Sequence, residues 1–94
     1  MLKIRRTANG HVLFTLSGRI EVEDVAELKH LLSLETTDYH QVVLDLKDVT
    51  LVSQEAVRFL ARCEADSVKL ANCPPYIREW IEQETARAGR VNQH

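Results

Sequence analysis

Glycine is scarce in this chain, three residues in 94, and proline scarcer, with two. No linker, internal repeat or low-complexity tract interrupts it, so several tethered modules are excluded. Cysteine is nearly absent. Cys63 and Cys73 stand ten residues apart without a CxxC pair, so free, partly buried thiols in a reducing compartment are expected. His11, His30, His40 and His94 are scattered, with no Cys or carboxylate at ligand spacing, so no metal site is expected. No apolar run exceeds a few residues, which excludes a membrane-spanning helix and direct membrane insertion. Twelve basic residues face fourteen acidic ones, a net charge of −2. No Lys/Arg block stands out, so nucleic acid is not an expected partner. Met1–Arg6 is basic, but no apolar segment of signal-peptide length follows, so the expected location is the cytoplasm. No Gly-rich phosphate loop, Walker motif or paired-carboxylate spacing is present, and no cofactor is expected.

What is present is ordinary globular material, 45% hydrophobic and 28% charged. Ninety-four residues make one small domain, able to bury roughly 60–65% of its unfolded surface. The expected domain covers residues 1–89, and residues 90–94 are expected to be a frayed tail. Leu2–Arg6 alternates apolar and basic residues, which suits an edge strand. Asn9-Gly10 signals a hairpin, and Val12–Leu16 returns beside the first strand. Carboxylates at Glu21, Glu23 and Asp24 mark a helix start. From there Val22, Val25, Leu28, Leu31 and Leu32 recur at helical spacing to about Leu34. Glu35–His40 reads as a polar loop. Gln41–Leu46 has apolar residues on both faces and reads as a central strand covered on both sides.

The next stretch, Lys47–Val52, reads as a turn. A second helix follows from about Gln54 to Glu64, broken by Asp66-Ser67. Val68–Ala71 forms a short fourth strand. Pro74-Pro75 opens a third helix, which is expected to end near Gly89 with Tyr76, Ile77, Trp80 and Ile81 in the core. The order is ββαβαβα.

Residues 41–60, QVVLDLKDVTLVSQEAVRFL, fire a strand into a helix through a short polar elbow. Such an elbow places side chains and free amides at a helix N-terminus, where partners and anions are met. This stretch resembles the central segment of STAS domains, the fold of anti-sigma-factor antagonists, often written DLSGVSFIDSSGLGALL. Asp45-Leu46 matches its Asp-Leu, and Val49-Thr50-Leu51-Val52 its Val-Ser-Phe-Ile. Upstream, LSGRIEVEDVAELKHLL is similar to the family's LxGxLD strand and Leu-spaced helix, with Glu21 in place of that Asp. The resemblance covers roughly residues 2–86. It implies an α/β fold, a STAS-like mixed sheet of about four to five strands packed by three helices. At the switch the chain departs from the family. Ser53 takes the Asp position, Gln54 and Glu55 take the two hydroxyl positions, and Ala56-Val57 replace Gly-Leu. The second helix is also shorter than usual, without the Gly-containing turn that follows it in the family.

Ser53 lacks the small neighbours of a nucleophile elbow, and no catalytic residue is identified. Its expected role is an N-cap, accepting from an amide two or three residues on, without a full capping box. Glu55 reads two ways, as a first-turn carboxylate favoured by the helix dipole or as a partial, permanent imitation of a phosphate. At about 100° per residue, Ala56, Val57, Leu60 and Ala61 share one arc. Phe59 falls opposite with Glu55, Arg58 and Arg62, an aromatic ringed by charge, so an exposed partner-binding face is expected.

Taken together, the resemblance implies a non-enzymatic protein-interaction module of bacterial partner-switching signalling. Its partner would be an anti-sigma factor or switch kinase, a STAS-containing complex, or a second copy in a homodimer. The expected contact residues are Ser53, Gln54, Glu55, Arg58, Phe59 and Arg62. Only Ser53 or Thr50 offers a hydroxyl nearby. Two alternatives remain open: a small subunit of a transporter or lipid-transport complex, and a nucleotide or small-ligand module.

Overall fold

The computed structural model describes residues 2–8, 10–35 and 42–91, with side chains described as far as Arg87. Two strands, β1 (Leu2–Ala8) and β2 (Val12–Ile20), precede helix α1 (Val22–Leu34). Strand β3 (Val42–Val52), helix α2 (Gln54–Ala65), strand β4 (Lys69–Ala71) and helix α3 (Pro75–Val91) follow. The sheet order is β1-β2-β3-β4, antiparallel between the first two strands and parallel thereafter. The expected mixed sheet with three helices is therefore present, with four strands among the described residues. The Asn9 half of the hairpin turn and the 36–40 part of the polar loop lie outside those residues. Gly10 takes φ +84°, a left-handed conformation that favours glycine.

Register assigns the sheet's two faces. Ile4, Leu16, Leu44 and Leu70 lie on one face, together with Phe14, Val42 and Leu46. Leu16, Leu44 and Leu46 are fully buried there, and Val25, Leu28, Leu32, Leu60, Ile77 and Ile81 of the helices join the same cluster. The opposite face carries Leu13, Thr15, Val43 and Asp45, all half-buried, and exposed Lys69. The expectation of cover on both sides of β3 is thus corrected. Among the described residues Val43 marks a sheet with one packed face, a pattern open to antiparallel and mixed sheets. Arg6, on the core side of edge strand β1, reaches the end of α1, where its Nε and Nη2 donate to Glu35 at 2.9 and 3.0 Å.

Strand β3 runs eleven residues and absorbs the stretch read above as a turn. Its partners step from Thr15↔Asp45 to Ser17↔Asp48, and from Gly18↔Val49 to Arg19↔Leu51. Each step places one extra residue in β3, and so bends and twists the strand. Buried positions become Leu46, Val49 and Val52, three apart rather than two. That spacing hid the strand from a period-two reading.

The helices start where their caps allow. Glu21 N–H donates to Asp24 Oδ2 at 2.9 Å at the head of α1. In α3 the Pro74 carbonyl accepts from the amides of Ile77 and Arg78, with Pro75 in the first turn. That helix continues through Val91 rather than ending near Gly89. A single glycine costs about 1 kcal/mol in a helix but does not stop it. Helix α2 ends where Val68 N–H reaches Cys63 O at 2.9 Å and Ser67 adopts φ +75°, a place usually given to glycine.

Two outcomes test this packing. Leu44→Asp buries an unpaired charge and is expected to cost several kcal/mol, about 3 or more, while Val43→Asp on the open face costs clearly less; thermal melts of both variants check the contrast. Ser67→Gly relieves left-handed strain and is expected to stabilise the fold by about 0.5–1 kcal/mol net of the entropy glycine adds to the unfolded chain, read as a raised melting temperature.

Candidate functional site

The parallel strands β2 and β3 finish level with each other, Ile20 opposite Val52. Each then turns into a helix. The amide of Ser53 donates to the Ile20 carbonyl at 2.9 Å, which ties the two exits together. Ser53 Oγ then accepts from Ala56 N–H at 3.1 Å, the N-cap expected of it. Its hydroxyl is therefore engaged. The next two side chains, Gln54 and Glu55, are exposed. Glu55 Oε1 accepts from Arg58 Nη1 at 3.2 Å, and Arg58 Nε lies 3.4 Å from Glu84 of α3.

Helix α2 divides five of the six expected contact residues between two grooves, and Ser53 lines neither. Gln54 lies in a groove of about 300 Å³ with Val52, Val57, Trp80, Gln83, Glu84 and Arg87. Glu55, Arg58, Phe59 and Arg62 lie in a second groove, of about 510 Å³, between α1 and α2. Phe59 is only 6% exposed, which corrects the exposed aromatic expected there. The buried arc of α2 runs from Phe59 through Cys63, Ala56 and Leu60 to Val57, about 160° at 100° per residue. Beyond the sheet, α1 lies against one flank and takes in Phe59. A hydrophobic pattern defines an arc, but its centre depends on which neighbours flank the helix.

The second correction concerns Trp80 and Tyr76, expected in the core. They are 40% and 39% exposed, whereas Ile77 and Ile81 are fully buried. The two pairs form adjacent i, i+4 stripes, and packing used only the isoleucines. The aromatic rings meet edge to face, 5.7 Å between centroids, and Tyr76 Oη donates to the Thr50 carbonyl at 2.8 Å. That bond anchors the aromatic stripe over the end of β3. Exposed Leu51 belongs to the same end of the strand. Residue reading missed this surface. The available signal was a third helix with twice the apolar width that one buried stripe needs. Val22, counted in the apolar stripe of α1, is likewise 58% exposed.

Both thiols are free. Burial, helped by Asp66 and opposed by Lys29, pushes Cys63 up to about 12. Burial also raises Cys73, against the lowering effect of nearby Arg78. Among the described residues no cluster of three His, Cys, Asp or Glu is arranged to hold a metal, and no helix is long and apolar enough to cross a membrane.

The architecture matches known structures. An uncharacterised protein of the DUF3478 family from Shewanella loihica PV-4, described as having a SpoIIAA-like fold, superposes with TM-score 0.53 over 73% of this chain and 64% of its own, at 14% identity. This chain has a SpoIIAA-like fold. That is the STAS fold that the elbow sequence resembles. A structure of Mglu matches with TM-score 0.54 and 23% identity over 76% of this chain, which spans only 19% of Mglu. No protein-family model matches the chain, and no curated protein sequence does. At these identities the likeness concerns the SpoIIAA-like fold alone.

The thiols make a test of the core beneath α2. Cys63 is held protonated in the fold, so its contribution is complete below pH 9 and is lost as pH rises toward about 12. Stability is expected to fall across that window in the parent and less steeply in Cys63→Ala. At neutral pH a thiol reagent is expected to modify Cys73 well before Cys63.

Proposed function

We propose that this protein is a non-enzymatic binding module of the STAS type, working in the cytoplasm, whose elbow and adjoining aromatic stripe dock on a protein partner. The observation that carries this reading is the exposed Tyr76–Trp80 pair held beside Gln54 at the exit of β3. Aromatic side chains that are partly exposed, rigidly anchored and rimmed by polar groups are the usual anchors of protein interfaces. Tyr76 is fixed by its hydrogen bond and Trp80 by its contact with Tyr76, so little side-chain entropy remains to be lost on binding.

The chemistry of the elbow supports steady rather than switched binding. In the STAS family a hydroxyl at this junction is phosphorylated to release the partner. Here those positions are Gln54 and Glu55, and the nearest hydroxyl, Ser53, already accepts the Ala56 amide. Glu55 presents one negative charge where a phosphate would bring about −1.5 to −2. We read it as a fixed charge that holds the surface in one state, as a constitutive partner-switching component or as the STAS subunit of a larger complex would require. A nucleotide or small anion at the elbow is disfavoured, because Glu55 repels it.

The proposal is tested by isolating the partner from the native host and measuring its affinity for variants. Trp80→Ala is expected to weaken binding by about 1–3 kcal/mol, roughly five- to 150-fold, with little change in melting temperature. Equal affinity for parent and Trp80→Ala would remove the aromatic stripe from the interface. A switch kinase active on typical family members is expected to leave the parent unmodified and to phosphorylate Glu55→Ser at residue 55. Efficient modification of Ser53 in the parent would mean an ordinary switch with a displaced acceptor.

A further inference from the structure

The larger groove lies on the other flank of α2 and does not need the elbow to bind anything. Val25, Lys29 and Leu32 of α1 form one wall, at intervals of four and three residues. Glu55, Arg58, Phe59, Arg62, Cys63 and Asp66 form the α2 wall, with Val68 beside them. Its apolar residues are core members that keep contact with water: Val25 is 8% exposed, Leu32 7% and Phe59 6%, against none for Leu16, Leu44 and Leu60.

Charge along the groove is ordered. Glu55 and Asp66 stand at the two ends of the α2 wall, eleven residues or about 16 Å apart along the axis. Between them Arg58 is matched by Glu55 and Glu84. Lys29 and Arg62, one on each wall, make no ion pair among the described residues. The result is a trough with an apolar floor and a charged rim, whose middle carries two cations outside any ion pair among the described residues.

We propose that this trough is the docking site for an acidic amphipathic helix of another protein. Two parallel helical walls offer a third helix a ridge-and-groove seat, and about 16 Å accommodates three turns. The volume of about 510 Å³ takes the apolar side chains of positions i, i+3 or i+4, and i+7. A carboxylate between those anchors meets Lys29 and Arg62, and the acidic ends of the trough set the register by repelling further carboxylates. The trough lies open, its rim made of exposed Lys29, Glu55, Arg58, Arg62 and Asp66, whereas a small-molecule site encloses most of its ligand. A second copy of this chain fits less well. The apolar residues of α1 and α2 are largely spent in the core. Although Glu79 lies between Tyr76 and Trp80 on α3, Tyr76 is tied to the Thr50 carbonyl and Glu84 to Arg58 and Arg87, so that face is already engaged within its own chain.

The test uses the full chain and an Ala-rich helical peptide of about 14 residues with leucines at i, i+4 and i+7 and glutamates between them. Binding is read by fluorescence anisotropy and by methyl shifts of Val25, Leu32 and Val68. Lys29→Glu combined with Arg62→Glu is expected to weaken binding at least tenfold while melting like the parent. A peptide with lysine for glutamate is expected to bind that double variant better than it binds the parent. Trp80→Ala is expected to leave peptide affinity unchanged, so failure here is separable from failure at the elbow. No shift of those methyls, or equal affinity of parent and double variant, overturns the proposal, as does loss of binding on Trp80→Ala. Decanoate producing the methyl shifts when the peptide does not would make the trough a small-ligand site instead. Self-association abolished by the double variant would make the occupant a second copy.

Discussion

The hydrogen bond from the Ser53 amide to the Ile20 carbonyl, 2.9 Å long, holds the molecule's geometry at the end where β2 and β3 become helices. It closes the parallel ladder of β2 and β3 just where both strands become helices. With the two exits level, α1 and α2 start side by side and run back along the same face of the sheet. Both grooves beside α2 depend on that arrangement. The α1 flank of α2 becomes the charged trough, and its α3 flank becomes the aromatic surface.

Reaching level exits required β3 to absorb two extra residues. The bulges return Val49 and Val52 to the core side. Without them the alternation would have turned one of these valines to solvent and drawn Thr50 or Leu51 inward. The bend also brings the Thr50 carbonyl to the Tyr76 hydroxyl. A local irregularity of the strand thus fixes an aromatic side chain of a helix 26 residues further on. A sheet with one packed face can tolerate such bends, because its open side demands no matching layer.

The elbow shows how a side chain can serve the backbone and have no hydroxyl left to spare. Ser53 retains a structural duty, capping α2, and that duty occupies the hydroxyl. The two residues that follow, Gln54 and Glu55, are exposed and carry an amide and a carboxylate. The helix N-terminus tolerates the negative charge of Glu55 because the dipole favours it by roughly 0.3–1 kcal/mol.

Much of this was legible in the residues themselves. The element order, the Ser53 cap and the proline-headed third helix all rest on local propensity and hydrophobic period. Such rules act within a few residues and need no knowledge of neighbours. Phe59, Trp80 and the Lys47–Val52 stretch were misread for a common reason. Each depends on what lies alongside in space: α1 covering Phe59, α2 and β3 accepting Ile77 and Ile81 in preference to Trp80, and β2 imposing its shorter register on β3. A sequence specifies how wide an apolar stripe is, but only the packed structure decides which part of it is left facing water, because that depends on the positions of elements far away in the chain.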